Sequence, residues 1–274
     1  METININKIP KPFLRWAGGK RWLLKHLVEL VNIDNYNNYH EPFIGGGSVF
    51  FNFLPKNAFI SDSNEWLIET YNAIKEDAEI VVEYLKCFKN TKEDYYKIRQ
   101  QKYNNSSKRA AQFIYLNQMS FNGIFRVNLE GKYNVPYGNR INYQFDYDNL
   151  INASNSLKNT NINSQNFIDS LDYIRQGDLV FLDPPYTITH NHNGFIQYNQ
   201  KIFSLEDQYR LSGMIDEIKN RNAYYILTNA AHIKVKEIFK KENDRLIELS
   251  RPSLVGGKKA KRESYSEYLF TNII

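Results

Sequence analysis

The sequence has one cysteine among its 274 residues, Cys87, and this excludes an internal disulfide. It has no run of about 20 apolar residues, so we expect no membrane-spanning helix. The opening stretch METININKIPKPF lacks the apolar region of a signal peptide. We therefore expect a cytoplasmic protein. The five histidines and the one cysteine have no ligand spacing, so the sequence predicts no metal site.

Charge of one sign is not in large excess. The net charge of +5 is compatible with a nucleic-acid partner but does not establish one. Hydrophobic residues make up 42% of the chain, which is enough for a packed core. The 20 tyrosines and 17 phenylalanines leave aromatic rings for stacking on a flat ligand. The length suits one large domain, or one domain with an insertion.

Two separated parts of the sequence have the pattern of a parallel α/β sheet. The first has a predicted helix at 20–31, a strand at 39–43, a helix at 48–53 and a strand at 58–62. The second begins with a predicted strand at 162–167. Its further elements are a strand at 178–182, a helix that begins at Ser204 with Asp207 as its cap partner, a strand at 223–229, a helix at 233–241, and strands at 245–249 and 266–273.

Between these parts, from residue 64 to about residue 121, every periodic segment has helical spacing. Helices are predicted at 65–89, at 91–103 with a Thr91/Asp94 cap, and at 106–119. The simplest architecture is a mostly parallel sheet with an all-helical insertion. The two sheet-forming pieces would then make one discontinuous domain.

The stretch FNGIFRVNLEGKYNVPYG, residues 121–138, follows the helical part. Turn signals at Asn122-Gly123 and Glu130-Gly131 separate short aromatic runs. This pattern predicts a β-hairpin or ribbon. We refer to residues 121–138 as the ribbon.

The stretch FLDPPY places an acid and an aromatic ring directly after an apolar strand. Pro184 and Pro185 must end the strand, and ligands of open α/β sheets bind at this edge. A carboxylate and a backbone carbonyl that accept both N–H bonds of a ring-conjugated amine would free its lone pair. Tyr186 could stack on the same ring. A base in a duplex must be flipped out to reach such a corner.

Two other stretches suit a nucleoside. In EPFIGGGSVF, glycines after a strand let the backbone approach a ligand, although a simple tight turn would have the same residues. Asp62 ends the next strand, where a carboxylate can accept both ribose hydroxyls. In FLRWAGGK, Trp16 and Lys20 flank a flexible loop, or Trp16 is a core residue. Neither a dinucleotide GxGxxG motif nor a GxxxxGK[ST] loop is present, which argues against a dinucleotide site and an NTPase.

In this order, FLRWAGGK, EPFIGGG, ISDSN, the ribbon and FLDPPY resemble the motifs of the Dam family of DNA adenine-N6 methyltransferases with the α-type motif order. The resemblance extends over residues 12–186, with weaker similarity towards residue 274. It implies a Rossmann-like, S-adenosylmethionine-dependent methyltransferase sheet with an inserted helical DNA-recognition domain that carries a β-hairpin. Residues 1–63 and 162–274 would form the catalytic domain, and residues 64–161 the target-recognition domain.

The resemblance also implies the activity and the partners. The chain would transfer a methyl group from S-adenosylmethionine to a flipped adenine in double-stranded DNA, in GATC or a GAT-containing site. We expect a monomer associated with the nucleoid. A cognate restriction endonuclease could act separately on the same site.

The implied site residues fall into three groups. The catalytic group is Asp183, Pro184, Pro185 and Tyr186. The cofactor-binding group is Trp16, Ala17, Gly18, Gly19, Lys20, Glu41, Pro42, Phe43, Gly45, Gly47, Asp62, Asn166, Phe167 and Asp183. The DNA-binding group is Arg15, Asn122, Arg126, Asn128, Asn134, Lys258 and Lys259.

Some of these positions depart from the family's pattern or have another reading. The family often has Asp-Phe where this chain has Asn166-Phe167, so a hydrogen bond to the cofactor's adenine would be made differently. Arg126 matches the guanine-reading arginine, and its fork suits guanine O6 and N7. Arg15 stands where relatives commonly have a lysine. The basic run 256–262 would contact phosphates or be a solvated loop. His190 and His192 suit a loop that closes over DNA better than a metal site.

Two other functions remain open at this point. One is methylation of RNA or of a protein amide, since related tetrapeptides with Asn first act on those substrates. The other is a DNA-binding regulator with a vestigial cofactor pocket.

Overall fold

The computed structural model describes residues 9–186, 203–252 and 264–274. Its strands are β1 (Tyr39–Glu41), β2 (Ala58–Asp62), β3 (Thr160–Ser164), β4 (Leu179–Leu182), β5 (Tyr224–Ala230), β6 (Arg245–Pro252) and β7 (Ser264–Thr271). Its helices are α1 (Leu24–Leu30), α2 (Phe50–Phe53), α3 (Glu65–Lys86), α4 (Lys92–Gln100), α5 (Ser106–Met119), α6 (Tyr147–Leu157), α7 (Leu205–Asn220) and α8 (Ile233–Phe239). Short 3-10 turns cover Ile33–Asn35, Phe121–Gly123 and Phe167–Asp172.

The strands form one sheet in the order β3-β2-β1-β4-β5-β7-β6. Strand β1 is parallel to β2 and to β4, and β4 is parallel to β5. Strand β7 is antiparallel to both β5 and β6. The prediction of a mostly parallel sheet is therefore confirmed. Its parallel strands all end at one edge, where the polar residues after β4 lie.

The chain forms two compact units. The first comprises Met1–Leu24, Ile44–Lys56 and Asp62–Ser164, and the second Lys25–Phe43, Asn57–Ser61 and Gln165–Ile274. The predicted division into catalytic and recognition domains is a division by function, and it stays a prediction. No helix in the part of the chain that the structure describes has the length and apolarity that a membrane span requires.

Helix α3 is the centre of the first unit, where it packs against α5 and α6. Its start is fixed by Asn64, whose side chain accepts a hydrogen bond from the amide of Leu67. Such a cap stabilises a helix by about 1 kcal/mol. Leu67, Tyr71 and Ile74 follow at helical spacing, and all three are buried. One apolar face thus explains both the helix and its packing.

The core of the second unit lies between the sheet and α7. All four residues of β4 are buried, as expected for a central parallel strand. Helix α7 begins with a capping box in which Ser204 and Asp207 bind each other's backbone amides, as the sequence predicts. The apolar face of α7 contributes Leu211, Met214, Ile215 and Ile218.

A buried hydrogen bond between a histidine and an aspartate lies at the start of β4. Oδ2 of Asp178 is 2.8 Å from Nε2 of His40 in β1, and it also accepts the amide of Arg175. Its Oδ1 accepts the amide and the side chain of Asn38. Burial acts to raise the pKa of Asp178, but these hydrogen bonds outweigh it and lower the pKa.

Several predicted boundaries differ from the structure. The helix predicted at 20–31 begins at Leu24, because residues 20–24 close turns with i→i+3 bonds instead. The strand predicted at 162–167 ends at Ser164, because Asn166 and Asp169 form a capping box that starts a 3-10 turn. The stretch predicted as a hairpin or ribbon has antiparallel pairing between its two arms, as isolated bridges, and its first residues form a 3-10 turn.

Candidate functional site

The glycine loop after β1 is tightly packed in the first unit. Gly45 and Gly47 have positive φ angles of 46° and 69°, which favour glycine. A Cβ on Gly45 would lie 2.7 Å from the ring of Trp16, and one on Gly47 would lie 2.7 Å from the hydroxyl of Tyr71. That hydroxyl donates to the carbonyl of Gly45. Glycine is therefore required here by neighbouring rings as well as by backbone conformation.

Asp62, at the end of β2, holds the same loop. Its Oδ2 accepts the amide of Gly45 at 3.1 Å, and its Oδ1 accepts the amide of Asn64 at 3.0 Å. Burial raises the pKa of Asp62, although these backbone hydrogen bonds oppose the shift. The amide of Ser63 is a further backbone donor to Asp62. A carboxylate has about four acceptor positions, so the three amides leave capacity for a hydroxyl donor. The chemistry of this loop fits the predicted ribose contact.

The segment Trp16–Lys20 lies beside the loop. Trp16 is half-buried, so it is neither a core residue nor a free ring, and Ala17, Gly18 and Gly19 are exposed. Lys20 is buried, and its Nζ donates to the carbonyl of Gly18 at 3.0 Å. The first unit thus brings together the predicted cofactor-binding residues from Trp16 to Asp62 that belong to it.

The second unit contains residues 183–186, the segment directly after β4, which we call the acidic corner. Asp183 follows β4, and its Oδ1 accepts a hydrogen bond of 2.8 Å from the hydroxyl of Thr228 in β5. Tyr186 donates to Oε2 of Glu267 in β7 at 2.7 Å. Burial, followed by the charges of Asp183 and Glu267, raises the pKa of Tyr186 well above its ordinary value. The tyrosine therefore stays neutral, with its hydroxyl oriented.

Thr228 and Glu267 were not predicted from the sequence. Both are polar residues in apolar strands, and both are buried. A buried charge or hydroxyl usually has a partner, so the two residues were a detectable signal. Their partners could not be identified, because they lie 45 and 81 residues away in the chain.

A second buried carboxylate lies in β1. Oε2 of Glu41 accepts a hydrogen bond of 2.8 Å from the hydroxyl of Tyr39, and both residues are buried. Burial, then the charge of Glu41 and its hydrogen bond, and last the charge of Asp183, raise the pKa of Tyr39 well above its ordinary value. The predicted residues Glu41 and Asp183 therefore influence the same hydroxyl.

Aromatic rings line the same unit. Phe43 stacks on Phe167 with 5.3 Å between ring centroids, and Phe203 packs against both. Pro42 and Pro184 are buried, and Pro185 is half-buried. Asn166 is exposed, and its Oδ1 caps the following 3-10 turn. The side-chain oxygen of Asn166 therefore has a structural role already.

In the ribbon, the predicted DNA-binding residues Arg126 and Asn128 are exposed, and Asn134 is half-buried. Nε of Arg126 donates to Oδ1 of Asn134 at 2.8 Å, so these two predicted residues are paired. Oδ1 of Asn128 accepts the amides of Glu130 and Lys132, which is the role of a turn-forming side chain.

The two predicted residues at the start of the ribbon differ. Asn122 is exposed and has a φ of 54°. Arg15 is half-buried, and its guanidinium lies 3.4 Å from the carbonyl of Ser120. Burial, with the charge of Arg140, lowers the pKa of Arg15. Lys258, Lys259 and the 190–192 histidines lie outside the described residues.

Comparisons with known proteins point in one direction. A model of the family described as D12 class N6 adenine-specific DNA methyltransferase matches residues 16–251. The chain is 34% identical to Type II methyltransferase M1.LlaDCHI of Lactococcus lactis subsp. cremoris over 284 aligned positions, which cover 99% of both chains. It is 37% identical to Type II methyltransferase M.MjaIII of Methanocaldococcus jannaschii over 81% of this chain and 85% of the relative. It is 28% identical to the DNA adenine methylase of Escherichia coli strain K12 over 88% of each.

Proposed function

Because the chain belongs to the D12 class of N6 adenine-specific DNA methyltransferases, we propose that it methylates the N6 amine of an adenine flipped out of duplex DNA. The proposed target is GATC or a GAT-containing site. Methyltransferases of this family use S-adenosylmethionine. When bound, this cofactor supplies a methyl group on a sulfonium, which is already activated for displacement.

The observation that carries the proposal is the fixed carboxylate of Asp183. The hydroxyl of Thr228 holds it at the carboxyl end of a buried parallel strand, the edge at which such sheets bind ligands. Asp183 and the carbonyl of Pro184 would accept the two N–H bonds of the amine. Preorganised acceptors of this kind stabilise developing charge without reorganisation. Tyr186 would stack on the flipped base.

The cofactor contacts are proposed for each unit separately. In the first, Asp62 would accept the ribose hydroxyls, beside Trp16, Lys20 and the glycine loop. In the second, Phe43 and Phe167 offer apolar ring faces to the cofactor's adenine. Arg126 and the asparagines of the ribbon would read base edges, and Arg15, Lys258 and Lys259 would add contacts to DNA.

Substitution of Asp183 by Ala tests the chemistry. Formation of N6-methyladenine, measured by mass spectrometry on duplex DNA, should fall by roughly 100-fold or more. Asp172→Ala is the matched control, because Asp172 is an exposed aspartate of the same unit, and it should keep the normal rate. A normal rate in the Asp183 variant would refute the mechanism.

The substrate and the site need separate measurements. Competition between duplex DNA and RNA for methyl label should favour DNA; a preference for RNA would support the rival activity. A protein with a vestigial pocket would have no thermal shift with S-adenosylmethionine, whereas a competent site should have one. Sequencing of modified bases in cells that express the chain would identify the methylated sequence.

We also propose that the protein is a cytoplasmic, nucleoid-associated monomer that modifies sites for a separate restriction endonuclease. Two relatives carry the name Type II methyltransferase, which supports the last point. Sedimentation would test the monomer. Resistance of the expressing cells' DNA to an endonuclease encoded nearby would test the partner.

A further inference from the structure

Two asparagines hold the segment 9–20 by the same pair of hydrogen bonds. Asn149 in α6 accepts the amide of Lys11 at 2.7 Å and donates to its carbonyl at 2.8 Å. Asn117 in α5 accepts the amide of Arg15 at 2.7 Å and donates to its carbonyl at 2.8 Å. Asn149 is half-buried, whereas Asn117 is fully buried.

Asn117 makes a third side-chain hydrogen bond, and the described contacts of Asn149 include no equivalent. Its Nδ2 also donates to the carbonyl of Gly123, in the first turn of the ribbon, at 3.2 Å. Gly123 has a φ of 64°, and a Cβ there would lie 2.5 Å from Cβ of Arg15. One buried amide therefore ties the backbone before Trp16 to the start of the ribbon, and no side chain fits between the two.

A ring contact joins the same two segments one residue after Arg15 and two residues after Gly123. Trp16 stacks on Phe125 with 6.0 Å between centroids and 20° between planes. Phe125 also packs against Phe113 and Tyr133, so its ring is anchored in the unit. The next residue, Arg126, is exposed. Trp16 thus contacts the residue that directly precedes Arg126 in the chain.

We infer that Asn117 is a positioning residue that couples the cofactor segment at Trp16 to the DNA-reading ribbon. This inference rests on the proposed function. A ligand that orders Trp16 would also order residues 123–126 through Asn117 and Phe125. Less conformational entropy of the protein is then lost when DNA binds, so DNA binds more tightly than it does without the ligand. By linkage, DNA must increase the affinity for the cofactor by the same factor.

The experiment measures that factor. Fluorescence anisotropy gives the Kd for a labelled duplex that carries the sequence identified by modified-base sequencing, with and without saturating S-adenosylhomocysteine. The ratio of the two values should be about 5 or more in the unsubstituted chain. Asn149→Ala should keep this ratio, because it removes the same clamp without the bond to Gly123. Asn117→Ala should lower the ratio to below about 2.

A merely structural role would weaken folding or both affinities and leave the ratio unchanged. An unchanged ratio in Asn117→Ala, or no coupling in the unsubstituted chain, therefore overturns the inference while the proposed function stands. If Asn117→Ala does not fold, Phe125→Leu decides, since it removes the stack on Trp16, with the packing on Phe113 and Tyr133, and keeps the hydrogen bonds of Asn117. An unchanged ratio there also overturns the inference. Failure of the unsubstituted chain to bind either S-adenosylhomocysteine or DNA would instead refute the proposed function.

Discussion

The hydroxyl of Thr228 donates a hydrogen bond of 2.8 Å to Oδ1 of Asp183, from the strand next to β4. Thr228 is buried, so this bond is not exchanged readily with water. The pairing means that the strand beside the acidic corner, and not the corner alone, sets the direction of the carboxylate.

Thr228→Val should therefore slow methyl transfer without preventing folding. A hydrogen bond to a charged group contributes about 1.5–3 kcal/mol, which corresponds to a kcat lower by roughly 10- to 100-fold. Thr228→Ser keeps the hydroxyl and should retain most of the activity. Single-turnover rates on duplex DNA would measure both variants. Equal rates for Val and Ser would contradict the orienting role.

Gly47→Ala should destabilise the protein through both backbone and packing. Its left-handed φ costs a residue with a Cβ about 1–2 kcal/mol, and the contacts with Tyr71 and Phe51 add overpacking of about 1–3 kcal/mol. Gly131→Ala is the matched control, because its φ of 72° is similar but nothing lies within 4 Å of the added Cβ. Urea unfolding should show the larger loss for Gly47. Equal losses would mean that the neighbouring rings move aside.

The pair of His40 and Asp178 should make stability depend on pH. The folded-state pKa of Asp178 is lowered, so its ionised form stabilises the fold above the unfolded-state pKa of about 4. That contribution is lost as pH falls through the folded-state pKa. Asp178→Asn should cost about 1.5–3 kcal/mol near neutral pH, because it removes a charged acceptor of hydrogen bonds.

Urea unfolding as a function of pH tests this expectation. The difference between Asp178→Asn and the unsubstituted chain should shrink below about pH 4. The exposed Asp172→Asn should show little difference at any pH. If the difference in the free energy of unfolding grew towards acid pH instead, the pKa of Asp178 in the folded state would not be lowered.

Arg126→Lys should reduce discrimination more than affinity. The variant keeps the positive charge but loses the planar fork and the hydrogen bond to Asn134. Binding to a duplex with the protein's target sequence should weaken by about 1–3 kcal/mol. Binding to unrelated duplex DNA should stay nearly constant. Arg245→Lys, an exchange at an exposed position of β6, is the control. Uniform weakening on both duplexes would identify Arg126 as a phosphate contact.

Local patterns in the sequence were enough to predict the strands of the sheet and the N-caps of two helices. Strand β2 has the predicted bounds at 58–62, and the Thr91/Asp94 and Ser204/Asp207 caps are confirmed. Each depends on residues at most a few positions apart. The proposal of Asp183 as a site residue also depends on a local pattern, since an apolar strand and two prolines flank it, and it stays a prediction.

The partners that orient the site could not be predicted in this way. Asn117 reaches Arg15 over 102 residues, and Tyr186 reaches Glu267 over 81 residues. Neither distance leaves a periodic signal in one sequence. The predicted roles of Asn128 and Asn166 were limited for another reason. Their side chains are able to bind DNA or cofactor, but in the structure both accept hydrogen bonds from the backbone of local turns. The residue type shows which hydrogen bonds an asparagine side chain is able to make. The backbone amides around it determine which of them it makes within the fold.

Strand β7 lies between β5 and β6 although it follows both in the chain. During synthesis, β5 and β6 therefore leave the ribosome without the strand that must separate them. Contacts that span long stretches of chain form slowly, and Glu267 reaches Tyr186 only once β7 has been inserted. We therefore expect the hydrogen bond between Tyr186 and Glu267 to form only after β7 has been synthesised, whereas the chain around the loop after β1 is made much earlier.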